Sequence, residues 1–107
     1  MALRFASSEL MIHFYKHRSD FSVLNEAEYE LAAERFLLSP LRPSLLECNR
    51  SGGDLVRYDS ATEEFAVLSD AGVIRTYFKP VPCVTRMVKF CHGEPDNVQY
   101  FLKACQL

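Results

Sequence analysis

The sequence predicts an α+β fold: two N-terminal helices, then a three- to four-stranded antiparallel meander, then a short C-terminal helix. Three observations predict it. The stretch from Asp54 to Pro80, DLVRYDSATEEFAVLSDAGVIRTYFKP, alternates apolar and polar residues and is rich in β-branched and aromatic side chains, the pattern of hairpin strands. Residues before Pro40 instead carry apolar side chains at helical spacing. The helical runs and the strand runs are segregated along the chain, which indicates α+β rather than an alternating parallel architecture.

Taken in order, Ser7 or Ser8 is placed to cap a first helix running to about Arg18, and Glu9 in its first turn suits the helix dipole. Leu10, Phe14, His17 and Phe21 form one stripe of that helix. His13 and His17, four residues apart, share a face, with Lys16 on a neighbouring flank. Asn25-x-x-Glu28 has the form of a capping box opening a second helix, Glu26 to about Leu38. Tyr29, Ala32, Ala33, Phe36 and Leu37 make its apolar face, and its opposite face is acidic. Ser39-Pro40 and Arg42-Pro43 end it.

Residues 45–50, LLECNR, read as a further strand that turns at Ser51-Gly52-Gly53. LVRY, EFAVL and VIRTYF then follow as three strands. DSAT joins the first two, and Asp70-Ala71-Gly72 joins the second pair, its glycine supplying the left-handed residue of a short reversal. Val81-Pro82 stops the last strand, and residues 85–90 fit either an edge strand or an irregular segment. Glu94-Pro95-Asp96 supplies a cap and an N1 proline for a C-terminal helix, Asn97 to Cys105, with Val98, Phe101, Leu102 and Cys105 inward.

At 107 residues the chain is expected to be one domain over residues 1–107, long enough for a core without metal or disulfide staples. Its 49% hydrophobic and 24% charged content is that of a globular protein. No apolar run reaches the ~20 residues that span a bilayer. MALRFASSEL does not read as a signal peptide, though the chain can be a piece of a longer secreted protein. Cys48, Cys83, Cys91 and Cys105 form no C-x-x-C and are irregularly spaced, so they read as reduced, packing residues. A zinc site from Cys91, His92 and the His13/His17 pair is the less favoured alternative, since it has no finger spacing.

A net charge of −2 hides a polarity. Arg75, Lys79, Arg86 and Lys89 lie between Gly72 and Gly93 with no acid among them, and Lys16 and Arg18 flank the histidines. Glu26, Glu28, Glu30 and Glu34 cluster on the second helix. Such a chain can hold a polyanion on one face while remaining acidic in sum; ordinary solvated faces are the plainer account of the charges alone.

Two blocks together carry a resemblance. The first is His13, Phe14, Lys16 and His17 on the first helix. The second comprises Arg57, Tyr58, Asp59, Thr62 and Phe65, followed by Gly72, Ile74, Arg75, Thr76, Lys79 and Pro80. The combined pattern resembles the barnase, EndoU, colicin and RelE superfamily of ribonucleases. Within it, the likeness is to C-terminal toxin modules of contact-dependent inhibition and pyocin-like polymorphic toxins. It covers roughly residues 9–80, with Glu64 in the turn a small departure.

The resemblance implies an endoribonuclease that needs no metal or other cofactor. The ribose 2′-hydroxyl attacks its own phosphate, leaving a 2′,3′-cyclic phosphate and a 5′-hydroxyl, a reaction closed to DNA. It further implies an RNA substrate, tRNA being one candidate, and a cognate immunity protein. Delivery would be from the cell surface or by secretion as part of a larger protein, with action in the cytoplasm of a target bacterium. His13 and His17 are the acid–base candidates, histidine being the side chain that titrates near neutrality. Lys16, Arg57 and Arg75 are candidates to hold phosphate, and Tyr58 and Thr76 to hydrogen-bond a phosphate oxygen or orient a histidine. Lys79, Arg86 and Lys89 are candidates for substrate binding.

Each candidate has a structural alternative. A histidine in a stripe with Leu10 and Phe14 is commonly packed, and His92 is the weaker third candidate. Arg57 and Arg75 on strands can pair with Asp59 or Glu64, Tyr58 can be core, and Asp59 most simply caps its turn. Strand parity puts Val56, Tyr58, Phe65, Val67, Ile74, Thr76 and Phe78 on one face and Leu55, Arg57, Asp59, Ala66, Arg75, Tyr77 and Lys79 on the other. If the helices cover the first face, the second is the open, basic one. A non-catalytic RNA- or protein-binding module is the rival reading.

Overall fold

A computed structural model describes residues 3–83 and 91–106. The α+β architecture is as expected, with one added strand. Strand β1 is Arg4–Phe5, helix α1 Ser7–His17, followed by a 3-10 turn at Arg18–Asp20, and helix α2 is Glu26–Leu38. The meander is β2 Leu45–Asn49, β3 Leu55–Asp59, β4 Phe65–Leu68 and β5 Val73–Phe78, and helix α3 is Asn97–Cys105. The sheet order is β1-β5-β4-β3-β2, antiparallel except for β1, which pairs parallel to β5 at Val73 and Ile74. Residues 85–90, with the candidates Arg86 and Lys89, lie outside the described residues.

β1 was not legible because two residues carry no period. It is held by the acidic face of α2: Glu34 accepts from the Leu3 amide at 2.6 Å and Glu30 from the Phe5 amide at 3.0 Å. That acidic face is therefore partly structural. The cap of α2 is as expected in part: Asn25 Oδ1 accepts from the Glu28 amide at 2.9 Å, but Glu28 reaches back to the Leu24 amide rather than to that of Asn25. Helix α1 has Ala6, not a serine, at its N-cap, and no side chain caps it. Before α3, Asp96 is the cap, accepting from the Gln99 amide at 2.8 Å, so Pro95 lies one residue outside the helix rather than at N1.

The sheet is covered on both faces. Phe14 of α1 and Tyr29, Ala33, Phe36 and Leu37 of α2 pack on Ala66, Ile74 and Tyr77. Phe101 of α3, with Tyr100 and Ala104, packs on Val56, Tyr58, Phe65 and Val67. Val98 and Leu102 are outward, 36% and 45% exposed, so the inward face of α3 is rotated from the expected one. The Tyr29 hydroxyl donates to the Tyr77 carbonyl, fastening α2 to β5.

Two expectations about parity are corrected. α1 and α2 cover the Arg57/Ala66/Tyr77 face, so that face is not open. Ile74 also belongs to it, together with Tyr77. Val67 faces Thr76 while Leu68 faces Ile74, leaving Arg75 as an extra residue that shifts the alternation.

The cysteines are corrected as well. Cys48 pairs with Cys105 and Cys83 with Cys91, and no cysteine is free. Spacing could not show this, because the first bridge joins β2 to α3 across 57 residues. With Cys91 so bonded, the zinc reading fails, and no metal-binding cluster exists among the described residues. No helix of the described residues is long and apolar enough to cross a membrane.

Candidate functional site

His13, Lys16 and His17 lie together at the C-terminal end of α1, beside the edge of the sheet. β1 covers β5 only at Val73 and Ile74, so α1 meets β5 farther along, at Phe78. There the His17 ring stacks on Phe78 with centroids 4.8 Å apart, and His13 lies 6.0 Å from His17. His13 also packs on Phe5 at 5.3 Å, with Glu9 Oε1 3.9 Å from its Nε2. Its Nδ1 is buried and makes no hydrogen bond among the described residues.

Both imidazoles are held neutral. Burial lowers the His17 pKa to about 4, aided by Lys16 and then by His13. Burial also lowers that of His13, with Lys16 adding to it and Glu9 opposing. A neutral imidazole can accept a proton, which is what a general base needs. Asp20 Oδ2 stands 3.9 Å from His17 Nδ1 and accepts from the Lys79 amide at 3.0 Å. It thus ties the end of β5 to the histidine helix. Lys79 Nζ sits 5.5 Å from the centre of the Phe21 ring, which itself stacks on Tyr77.

The other candidates part company with this group. Arg57 is buried and engaged: its Nε donates to Glu47 at 2.6 Å and its Nη1 to the carbonyls of Phe36 at 3.2 Å and Ser39 at 2.8 Å. It caps the last carbonyls of α2, so its partner is Glu47 across the ladder rather than a phosphate. The Tyr58 hydroxyl donates to Glu63 at 2.9 Å, at the far end of β3. Arg75, in the bulge, donates to Asp54 at 3.0 Å and remains more than half exposed. Thr76 shares the α3 side of the sheet with Phe78 and faces a cavity there.

Asp59 does what its type suggests: Oδ1 accepts from the Ala61 amide at 2.8 Å and Oδ2 from Arg42 Nε at 2.7 Å. Burial alone would raise its pKa, but the Ala61 amide, Ser44 and Arg42 hold it below the usual range. His92 is held by hydrogen bonds at both ring nitrogens. Its Nδ1 accepts from the Glu94 amide at 3.2 Å, so Nε2 carries the proton and donates to Asn97 Oδ1 at 2.7 Å.

Sequence reasoning missed Asp20 and Phe78 as neighbours of the histidines. The spacing of residues 13–20 could have suggested Asp20, one turn beyond His17; Phe78 comes only from the docking of α1. No protein-family model matches the chain, and no curated protein is similar enough to it to count as a relative.

Proposed function

We propose that this chain is a ribonuclease toxin domain that cleaves RNA without a metal, through attack of a 2′-hydroxyl on the adjacent phosphate. The observation that carries the reading is the grouping of His13, Lys16 and His17 at the end of α1, with Phe78 against His17 and Asp20 joining His17 to the Lys79 amide. One neutral imidazole takes the proton of the 2′-hydroxyl as the oxygen–phosphorus bond forms. The other, charged once phosphate sits beside it, gives a proton to the departing 5′-oxygen. Lys16 and Lys79 offset the charge that develops on the phosphoryl oxygens. Each acid–base role is worth roughly 10²- to 10⁴-fold.

The two disulfides support delivery by way of an oxidising compartment, as expected of a toxin module carried on a secreted or surface protein. An immunity protein that presents acidic groups to the Lys16/Lys79 end would neutralise it.

One observation favours the rival reading, a non-catalytic RNA- or protein-binding module: Arg57 and Tyr58 are engaged in structural contacts. Purified protein incubated with total RNA in EDTA separates the two. Discrete fragments with cyclic phosphate ends, lost in His17→Ala, are expected. Intact RNA with folded protein would sink the catalytic reading.

A further inference from the structure

On the α3 side of the sheet lies a cavity of about 390 Å³, floored by Phe65, Val67 and Thr76 and walled by Tyr100, with Lys103 and Glu94 at its rim. Its size is at the small end of the ~300–1,000 Å³ typical of small-ligand sites, fit for one nucleotide and not for a duplex. The wall is rigid: Tyr100 stacks on the fixed His92 ring at 4.4 Å and meets Phe65 edge-on at 5.1 Å. Thr76 and Tyr100, each with a hydroxyl, line this space. Arg50, at one end, is committed to Asp54 and to the Ala104 carbonyl. Lys103 is different. Its side chain is largely exposed in its 2.9 Å pair with Glu94, and surface pairs of this kind are worth little.

We propose that this cavity holds one nucleobase of the RNA strand. The base lies between the apolar floor and the His92/Tyr100 wall, because every base offers a π-face to such surfaces. Thr76 and Tyr100 hydrogen-bond its edge, and Glu94 accepts from a ring or amino N–H as carboxylates do in base readout. Lys103, released from Glu94, meets the attached phosphate. Phe78 joins this cavity to the histidine cluster, touching Tyr100 at 6.2 Å and His17 at 4.8 Å. The link to cleavage rests on the ribonuclease reading; the binding itself does not.

The test is an NMR titration of the intact protein with the four 3′-nucleoside monophosphates and, separately, inorganic phosphate. Saturable shifts at Thr76, His92, Tyr100 and Lys103 are expected for nucleotides and not for phosphate. Tyr100→Phe and Lys103→Ala, which leave the packing intact, should each weaken binding about tenfold. Lys103→Ala should also raise KM for RNA several-fold with kcat nearly unchanged. Shifts confined to His13, Lys16 and His17, or equal shifts with inorganic phosphate, would overturn the proposal while leaving the ribonuclease reading standing. No shifts anywhere would overturn it too. Nucleotide binding in the cavity of a protein that cleaves no RNA would retire the ribonuclease reading and keep the cavity.

Discussion

The His17 imidazole lies against the Phe78 ring, centroids 4.8 Å apart and planes 24° from parallel. Through this one contact a helix on one face of the sheet reaches the side chains of the other face. It also explains why His17 is both buried and adjacent to a site: the stack removes water from one side of the ring and leaves Lys16 and Asp20 near it.

That burial makes stability depend on pH. The folded pKa of His17 is about 4 against 6.5 for the free side chain, so between those values the unfolded chain binds more protons. Stability is therefore complete above about pH 6.5 and falls as the pH drops towards 4. At ~1.4 kcal/mol per pH unit the loss reaches up to roughly 3 kcal/mol. The facing charges are Lys16 and His13 on α1 and Asp20 beyond it. Urea unfolding of wild type and His17→Gln between pH 4 and 7.5 should show a shallower dependence in the variant. Equal slopes would mean that His17 is already solvated.

Arg57 and Arg75 should behave oppositely although both are strand arginines. Arg57→Met removes the partner of Glu47 and uncaps α2, at a cost of about 2–3 kcal/mol. Arg75→Ala breaks a largely exposed pair and should change stability by less than about 1 kcal/mol. Thermal melts distinguish them. An Arg57 variant that melts like wild type but loses RNA cleavage would make Arg57 a phosphate ligand after all.

Reduction should loosen α3. The Cys48–Cys105 bridge closes a 57-residue separation, and chain entropy assigns such a bridge about 4 kcal/mol; Cys83–Cys91, across 8, is worth roughly 2–3 kcal/mol. A Cys48→Ala/Cys105→Ala double variant should therefore melt lower than a Cys83→Ala/Cys91→Ala one, and dithiothreitol should lower the wild-type melting temperature further than either. A melt indifferent to reductant would show that these thiols are not bridged in solution.

Asp59→Ala leaves Arg42 without its carboxylate and removes the acceptor that shapes the β3–β4 turn. A loss of about 3 kcal/mol is expected, because the Asp59 side chain is fully buried. Asp59→Asn keeps the turn acceptor and should lose less. Equal losses in the two variants would assign the whole effect to the Arg42 pair.

The elements that the sequence determined by itself are those with local causes. The stripe of Leu10, Phe14 and His17, the Asn25 cap of α2, the glycine of the Asp70–Gly72 turn and the Asp59 turn all follow from the chemistry of a few consecutive residues. So does the grouping of His13, Lys16 and His17, because one helix turn sets it. What tertiary structure alone decided is everything that depends on long-range partners. A single bulge at Arg75 moved Ile74 to the face of Tyr77, two glutamates of α2 recruited β1, and the docking of α1 and α2 turned Arg57 from a candidate ligand into a helix cap. The cysteine pairing belongs to this second group, as does the stack of His17 on Phe78. Periodicity records which side of its own element a residue occupies. It carries no record of which other element comes to cover that side, and in this protein α3 covers the face that holds Thr76 and Phe78.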